Sequence, residues 1–208
     1  MTAAAHRELE LKAVVPDPAA LEARLAAAGA AAGFRGLLTD RRYDRADGEL
    51  TARDEVLRVR TYHHPDGARA AQLGWKGPAR VSPDGYKERA ELECDLARGA
   101  VDPGALLEAL GYRVVHAIDR RIAVHHLAGA TARLEWYPRM DVLLEVEGPP
   151  EAIEAVVRAT GLARASFTSE ALRAFVARYD ARQMAGGDAR RAAVSLAELG
   201  GAAPEWGP

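Results

Sequence analysis

The sequence predicts an α+β fold, an eight-stranded antiparallel β-barrel or sandwich with helices outside. Three observations carry this. Eight stretches alternate polar and apolar residues with the period of two that marks a strand. Turn signals separate several of them: Asp47-Gly48, Pro65-Asp66-Gly67, Pro83-Asp84-Gly85 and Ala128-Gly129. Four further segments place apolar residues at helical spacing behind recognisable start signals.

In chain order, the first strand is expected over about 6–15. Asp17-Pro18 then supplies an N-cap and a proline at the first helical position, and PAALEARLAAAG runs as a helix to about Gly29. Strands are expected at 34–43, 55–63, 69–77 and 85–97. Asp102-Pro103 repeats the helix start, with GALLEALG ending at Gly111. Three more strands fall at 113–126, 130–137 and 141–148. Pro149-Pro150 opens EAIEAVVRATG, which ends at Gly161, and Thr168 or Ser169 caps EALRAFVARYDARQM. Strand, Asp-Pro helix and strands recur at 6–45 and 87–126, a loose echo of two halves. A single domain is expected over 1–182, followed by a loose extension over 183–208 with a short helix at 189–199.

Composition narrows the function. Across 208 residues the net charge is −2, so the chain lacks the basic footprint of a nucleic-acid binder. No run approaches the roughly 20 apolar residues of a membrane helix, and no signal-peptide pattern opens the chain. With one cysteine, Cys94, there is no internal disulfide, which suits a cytoplasmic location. Cys94 falls on the apolar parity of its strand and is expected to be packed. His63-His64 and His125-His126 are adjacent pairs, whose side chains point to opposite faces of a strand, so neither pair makes a metal pocket. The chain contains only three lysines, Lys12, Lys76 and Lys87, among 28 basic residues.

Charge sits on one parity of nearly every strand. Glu8, Glu10 and Lys12 share a face, as do Arg58 and Arg60, and Lys87, Arg89, Glu91 and Glu93. Lys76 and Arg121 add single positions. Arg133 and Glu135 share a face, and so do Glu145 and Glu147. Turned outward, these faces would make a plain barrel with an ion-paired surface. Turned inward, they would line a cavity with both signs, which is costly unless water, counter-charge or ligand fills it. Alternation alone leaves both orientations open. An inward lining would suit a polyanion held by Arg and Lys together with a divalent metal held by carboxylates.

Five blocks, in order, resemble the CYTH superfamily of triphosphate tunnel metalloenzymes. They are ELELK at 8–12, YDRADGELTARDEVLRVR at 43–60, LGWKGP at 73–78, KERAELE at 87–93 and LLEVEG at 143–148. The layout is most similar to the branch holding class IV adenylate cyclases and small phosphohydrolases. The resemblance implies an antiparallel eight-stranded tunnel with the charged parity inside. It implies Mg²⁺ or Mn²⁺ held by an acidic set drawn from Glu8, Glu10, Glu91, Glu93, Glu135, Glu145 and Glu147. It implies substrate binding by Lys12, Arg58, Arg60, Lys76, Lys87, Arg89 and Arg121, with Glu8, Glu10, Lys12 and Lys76 at the chemistry.

Two departures stand out. Asp119 replaces the family's lysine two residues before the arginine matched to Arg121, and the neighbouring Arg120 has the other parity, so that only a strand bulge would bring it in. Glu135 followed by WYPRMD replaces the family's Asp and Gly-rich turn. The expected function is a metal-dependent triphosphate phosphohydrolase, with a class IV adenylate cyclase or a non-catalytic polyphosphate or nucleotide binder as alternatives. The expected partner is a small-molecule triphosphate, with no nucleic acid or membrane, and a homodimer is compatible with the chain.

Overall fold

The computed structural model describes residues 6–97 and 102–185. Its strands are β1 (His6–Val14), β2 (Ala31–Asp44), β3 (Val56–His63), β4 (Arg69–Lys76), β5 (Arg80–Val81), β6 (Lys87–Leu96), β7 (Arg113–Leu127), β8 (Ala130–Trp136) and β9 (Leu143–Glu147). The helices are α1 (Pro18–Ala27), α2 (Glu49–Ala52), α3 (Pro103–Ala109), α4 (Pro150–Thr160) and α5 (Leu172–Ala185). Neighbouring strands pair antiparallel in the order β1-β9-β8-β7-β2-β3-β4-β6, and β6 pairs back to β1, closing the ring. The two-residue β5 lies on β6 outside that ring. The fold is therefore a closed eight-stranded antiparallel barrel with five flanking helices, the barrel alternative of the two that alternation allowed.

The hydrophobic core lies outside the barrel. On β1, Leu9, Leu11 and Ala13 face outward with Leu134, Leu144 and Val146, and α1 and α4 cover them with Leu21, Leu25, Ile153, Val156 and Val157. Each such Leu, Ile or Val contributes about 1.5–3 kcal/mol on burial. β1 is thus buried on both faces, with apolar residues outward under the helices and charged ones inward. A polar-in, apolar-out strand cannot reverse its orientation here, because turning it would place leucines opposite arginines and carboxylates against the helices. A smaller cluster of Ile118, Tyr137, Leu143 and Phe175, with Val14 and Leu172 against it, anchors α5 across one end of the barrel.

The caps read from the sequence form. The Asp17 side chain accepts from the Ala20 amide, the Asp102 side chain accepts from Gly104, and Gly161 ends α4 at φ +69°, a backbone conformation that glycine adopts without strain. α2 was not expected, since Asp47-Gly48 reads as a simple turn. Its cause is Asp44, whose buried carboxylate accepts from the amides of Arg45, Leu50 and Thr51 and from the Thr51 hydroxyl. Burial alone would raise the Asp44 carboxyl, but the Thr51, Leu50 and Arg45 hydrogen bonds outweigh it and hold it at about 2. Replacing Asp44 by Ala leaves buried donors unsatisfied, and a loss of about 2 kcal/mol is expected in urea denaturation at neutral pH. This stabilisation is present above the ordinary aspartate pKa of ~3.9 and lost as pH falls towards about 2. An unchanged urea midpoint in the variant would remove this role from Asp44.

Cys94 is exposed, contrary to the packing expected of it. It shares the outer face of β6 with Leu92, which is 41% exposed, so no helix among the described residues covers this stretch of the strand. Among the described residues no helix is long and apolar enough to cross a membrane. The short helix expected at 189–199 lies outside the described residues, and α5 extends to Ala185, close to the expected end of EALRAFVARYDARQM.

Candidate functional site

The charged parity faces inward. Glu8, Glu10, Lys12, Arg58, Arg60, Lys76, Glu91 and Glu145 are all buried, and all stand on the inner face of the ring. The barrel encloses a cavity of about 850 Å³, whose mouth is framed by Thr51 of α2, by Asp54 and Glu55 after it, by Ala79, and by Ala171–Arg173 at the start of α5. Ten basic side chains and six carboxylates line it, and Glu8, Glu91, Glu93 and Glu147 stand on the same inner parity of their strands.

Of the seven basic residues expected to bind substrate, Lys12, Arg58, Arg60, Lys76, Lys87 and Arg89 line this cavity. Arg121 does not. It lies on the opposite face of β7, beside Arg35 and Trp136 in a separate hollow of about 240 Å³. Arg120 takes the inner place, because the β7 register sets Leu38 against Arg120 and Ile122 against Glu135. The position two residues before it is Ile118. Asp119 faces outward and bonds Arg41, so the cation missing at 119 is missing from the outer face. No bulge is needed at 120; the irregularity in this part of β7 lies where Arg42 gives way to Tyr43 on β2.

The carboxylates divide into two groups. Four of them hold basic side chains. Glu10 accepts from Lys12 at 2.5 Å and from Lys87, and Glu145 meets Lys12 at 2.6 Å and also Arg133. Glu135 accepts from Arg120 at 2.9 Å, Arg133 at 3.0 Å and the Tyr137 hydroxyl. Glu93 accepts from Arg58 at 2.9 Å. Burial would raise Glu10, but the Lys12, Lys87 and Lys76 ammoniums hold it well below the usual carboxylate range. Glu135 is likewise held down by Arg120 and Arg133 against the effect of burial.

The other three carboxylates, Glu8, Glu91 and Glu147 from β1, β6 and β9, crowd together. Each offers an oxygen within 4.8 Å of the others. Burial pushes Glu91 up to about 7, the Glu8 carboxylate adding to the effect against Lys76, and burial and Glu8 raise Glu147. Lys76 reaches across to both Glu8 and Glu91. An all-oxygen set of this kind, with Glu8 and Glu91 buried and Glu147 half-buried, fits a hard divalent cation.

Some residues at the cavity were not assigned from the sequence. Asp40, with 1% exposure, lies 3.6 Å from Arg60 and 3.7 Å from Arg120, and the two arginines hold its carboxyl at about 2 against burial. Arg42, Arg120, Arg133 and Tyr137 also line the cavity. Period two was the available signal: Asp40 and Arg42 alternate inside the expected strand 34–43, but the neighbouring Arg41 masks the pattern. The adjacent histidines behave as ordinary strand residues, His63 meeting Thr39 and His125 meeting Glu22.

No protein-family model and no curated protein matches the chain. Solved structures do. A candidate adenylate cyclase from Vibrio parahaemolyticus superposes with a TM-score of 0.69 at 17% identity, over 83% of this chain and 99% of that one. The PH1819 protein of Pyrococcus horikoshii superposes at 0.63 and 22% identity, over 79% and 94%. The Hippeastrum adenylyl cyclase candidate HpAC1, described with a dominant triphosphatase activity, superposes at 0.55 and 18%, over 79% and 90%. With its closed ring of eight antiparallel strands and its charged residues turned inward, the chain has the tunnel fold implied by its resemblance to the CYTH superfamily.

Proposed function

We propose that the chain is a divalent-metal-dependent phosphohydrolase acting on a triphosphate. The observation that carries this is the set of buried arginines and lysines on the cavity wall, several of whose donors lack partners. Arg58 Nε, Arg60 Nε and Arg120 Nη1 are buried without a hydrogen bond among the described residues. An unpaired buried donor is costly, and phosphate oxygens would satisfy it. The triphosphatase activity described for HpAC1, which shares the fold, supports the same reading.

Phosphoryl transfer asks the protein mainly for positioning and charge stabilisation. Lys12, Arg58, Arg60 and Lys76 would grip the phosphate chain from β1, β3 and β4. Glu10 and Glu145 keep the Lys12 ammonium fixed at the cavity wall, so little reorganisation is needed when charge develops. Arg120 and Arg133, themselves fixed by Glu135, extend the positive wall along β7 and β8. Glu8, Glu91 and Glu147 would hold Mg²⁺ or Mn²⁺, which supplies Lewis-acid neutralisation of phosphate charge.

A class IV adenylate cyclase is the second reading. The cavity exceeds what a phosphate chain fills, and Val56, Ile118 and Leu172 in its wall leave apolar room for an organic group. Cyclisation also demands that the ribose be aligned with the α-phosphate, an orientation requirement that terminal hydrolysis lacks. The non-catalytic alternative rested on Asp119, which faces away from the cavity. Incubating ATP and tripolyphosphate with Mg²⁺ or Mn²⁺ and resolving the products separates the three. Free phosphate is expected to form faster than cyclic AMP. Cyclic AMP with pyrophosphate as main products would make the protein a cyclase, and triphosphate-induced thermal stabilisation without any turnover would make it a binder.

A further inference from the structure

Arg42 differs from its neighbours in the cavity. Arg58, Arg60, Arg120 and Arg133 each have a carboxylate within ion-pair distance. Arg42 has none among the described residues, and its Nε is buried without a hydrogen bond. Asp40 acts on it only at longer range, being engaged by Arg60 and Arg120. The register sharpens the contrast. Arg42 stands directly opposite Arg58 on β3 and opposite His116 on β7, so three basic residues lie side by side across three strands. In the next row inward, Arg60 faces Asp40, which faces Ile118, so that row contains its own carboxylate. Like charges directly opposite on a sheet destabilise it, and burial of Arg42 adds to that cost.

We propose that Arg42 is a further substrate-binding residue that binds an anionic oxygen of the substrate at the mouthward end of the cavity. The inference rests on the triphosphate reading above and adds to it a contact that the chain's own carboxylates leave unmade. A phosphoryl group bridging Arg42 and Arg58 would turn a repulsive pair into two charge-assisted hydrogen bonds. Free protein and complex should therefore respond in opposite directions when the cation is removed.

The test is calorimetric titration of metal-free protein with tripolyphosphate, alongside thermal denaturation without ligand. Arg42→Gln is expected to bind about tenfold more weakly or worse, in line with a charged hydrogen bond. Its ligand-free melting temperature should be unchanged or higher, and Arg42→Lys should regain part of the affinity. Wild-type affinity in Arg42→Gln would overturn the assignment while leaving the triphosphate reading in place. So would a lower ligand-free melting temperature in both variants, which would mark Arg42 as structural. If wild-type protein does not bind tripolyphosphate, both readings fall.

Discussion

Replacing Lys76 by Met is expected to cost about 100- to 1000-fold in triphosphate turnover, the scale of losing one preorganised charge contact to a reacting oxyanion. The same change should lower metal-free stability by about 3 kcal/mol or more. Both effects follow from one position. The Lys76 ammonium lines the cavity and also lies against Glu8 and Glu91, 3.0 Å from the latter, and is the cation nearest the crowded carboxylates. Without it, three carboxylates within 4.8 Å of one another, two buried and one half-buried, lose a shared counter-charge. Saturating Mn²⁺ should therefore raise the melting temperature of Lys76→Met more than that of wild type, without restoring turnover. Wild-type turnover and stability in the variant would show that Lys76 is neither a substrate contact nor the counter-ion of this set.

Glu147→Gln should give the opposite pattern. Turnover is expected to fall by more than about 100-fold, beyond the usual loss from altering an outer-shell partner of a metal ligand. The response of the melting temperature to Mn²⁺ should weaken with it. Metal-free stability should hold or rise, because burial and the Glu8 carboxylate already disfavour the charged form of Glu147. Turnover and Mn²⁺ dependence that match wild type in a folded variant would take Glu147 out of the metal set. A large loss of metal-free stability would instead mark Glu147 as a structural ion-pair partner.

Much of this was legible in the sequence because strand periodicity is rigid. Once these segments are strands, Glu8, Glu10 and Lys12 must share a face, and so must Arg58 and Arg60, however the strands pair. What alternation could not decide was which face pointed inward. That depended on partners distant in sequence: α1 and α4 supply Leu21, Leu25, Ile153 and Val156 to cover the leucines of β1, leaving the charges no place but the interior. The position of the inner cation on β7 was read one residue off, as Arg121 in place of Arg120, because parity must be counted from a fixed point. On β7 that point is set by pairing with β2 and β8.

The acidic set shows a second limit. Seven glutamates looked equivalent as metal ligands, since each sits on the charged parity. Which of them meet a cation and which meet each other depends on the stagger of strands around the ring. β1 sets Glu10 opposite both Glu147 and Lys87, and Lys12 opposite Glu145. Glu10 and Glu145 thereby acquire ammonium partners of their own, while Glu8 and Glu91 share Lys76, with Arg58 also on Glu91, and crowd against Glu147. α2 was hidden for a related reason: Asp44 creates it by satisfying amides six and seven residues away, and no local propensity announces such a contact.

The central claim is that the barrel interior is a polyphosphate and metal site. A crystal structure of the wild-type protein soaked with tripolyphosphate and Mn²⁺ tests it most directly. Phosphate density is expected among Lys12, Arg58, Arg60 and Lys76, with an anomalous Mn²⁺ peak bounded by Glu8, Glu91 and Glu147. Phosphate confined to the outer surface, with the interior ion pairs of Lys12, Lys76 and Arg58 unchanged and no anomalous peak at the three carboxylates, would contradict it.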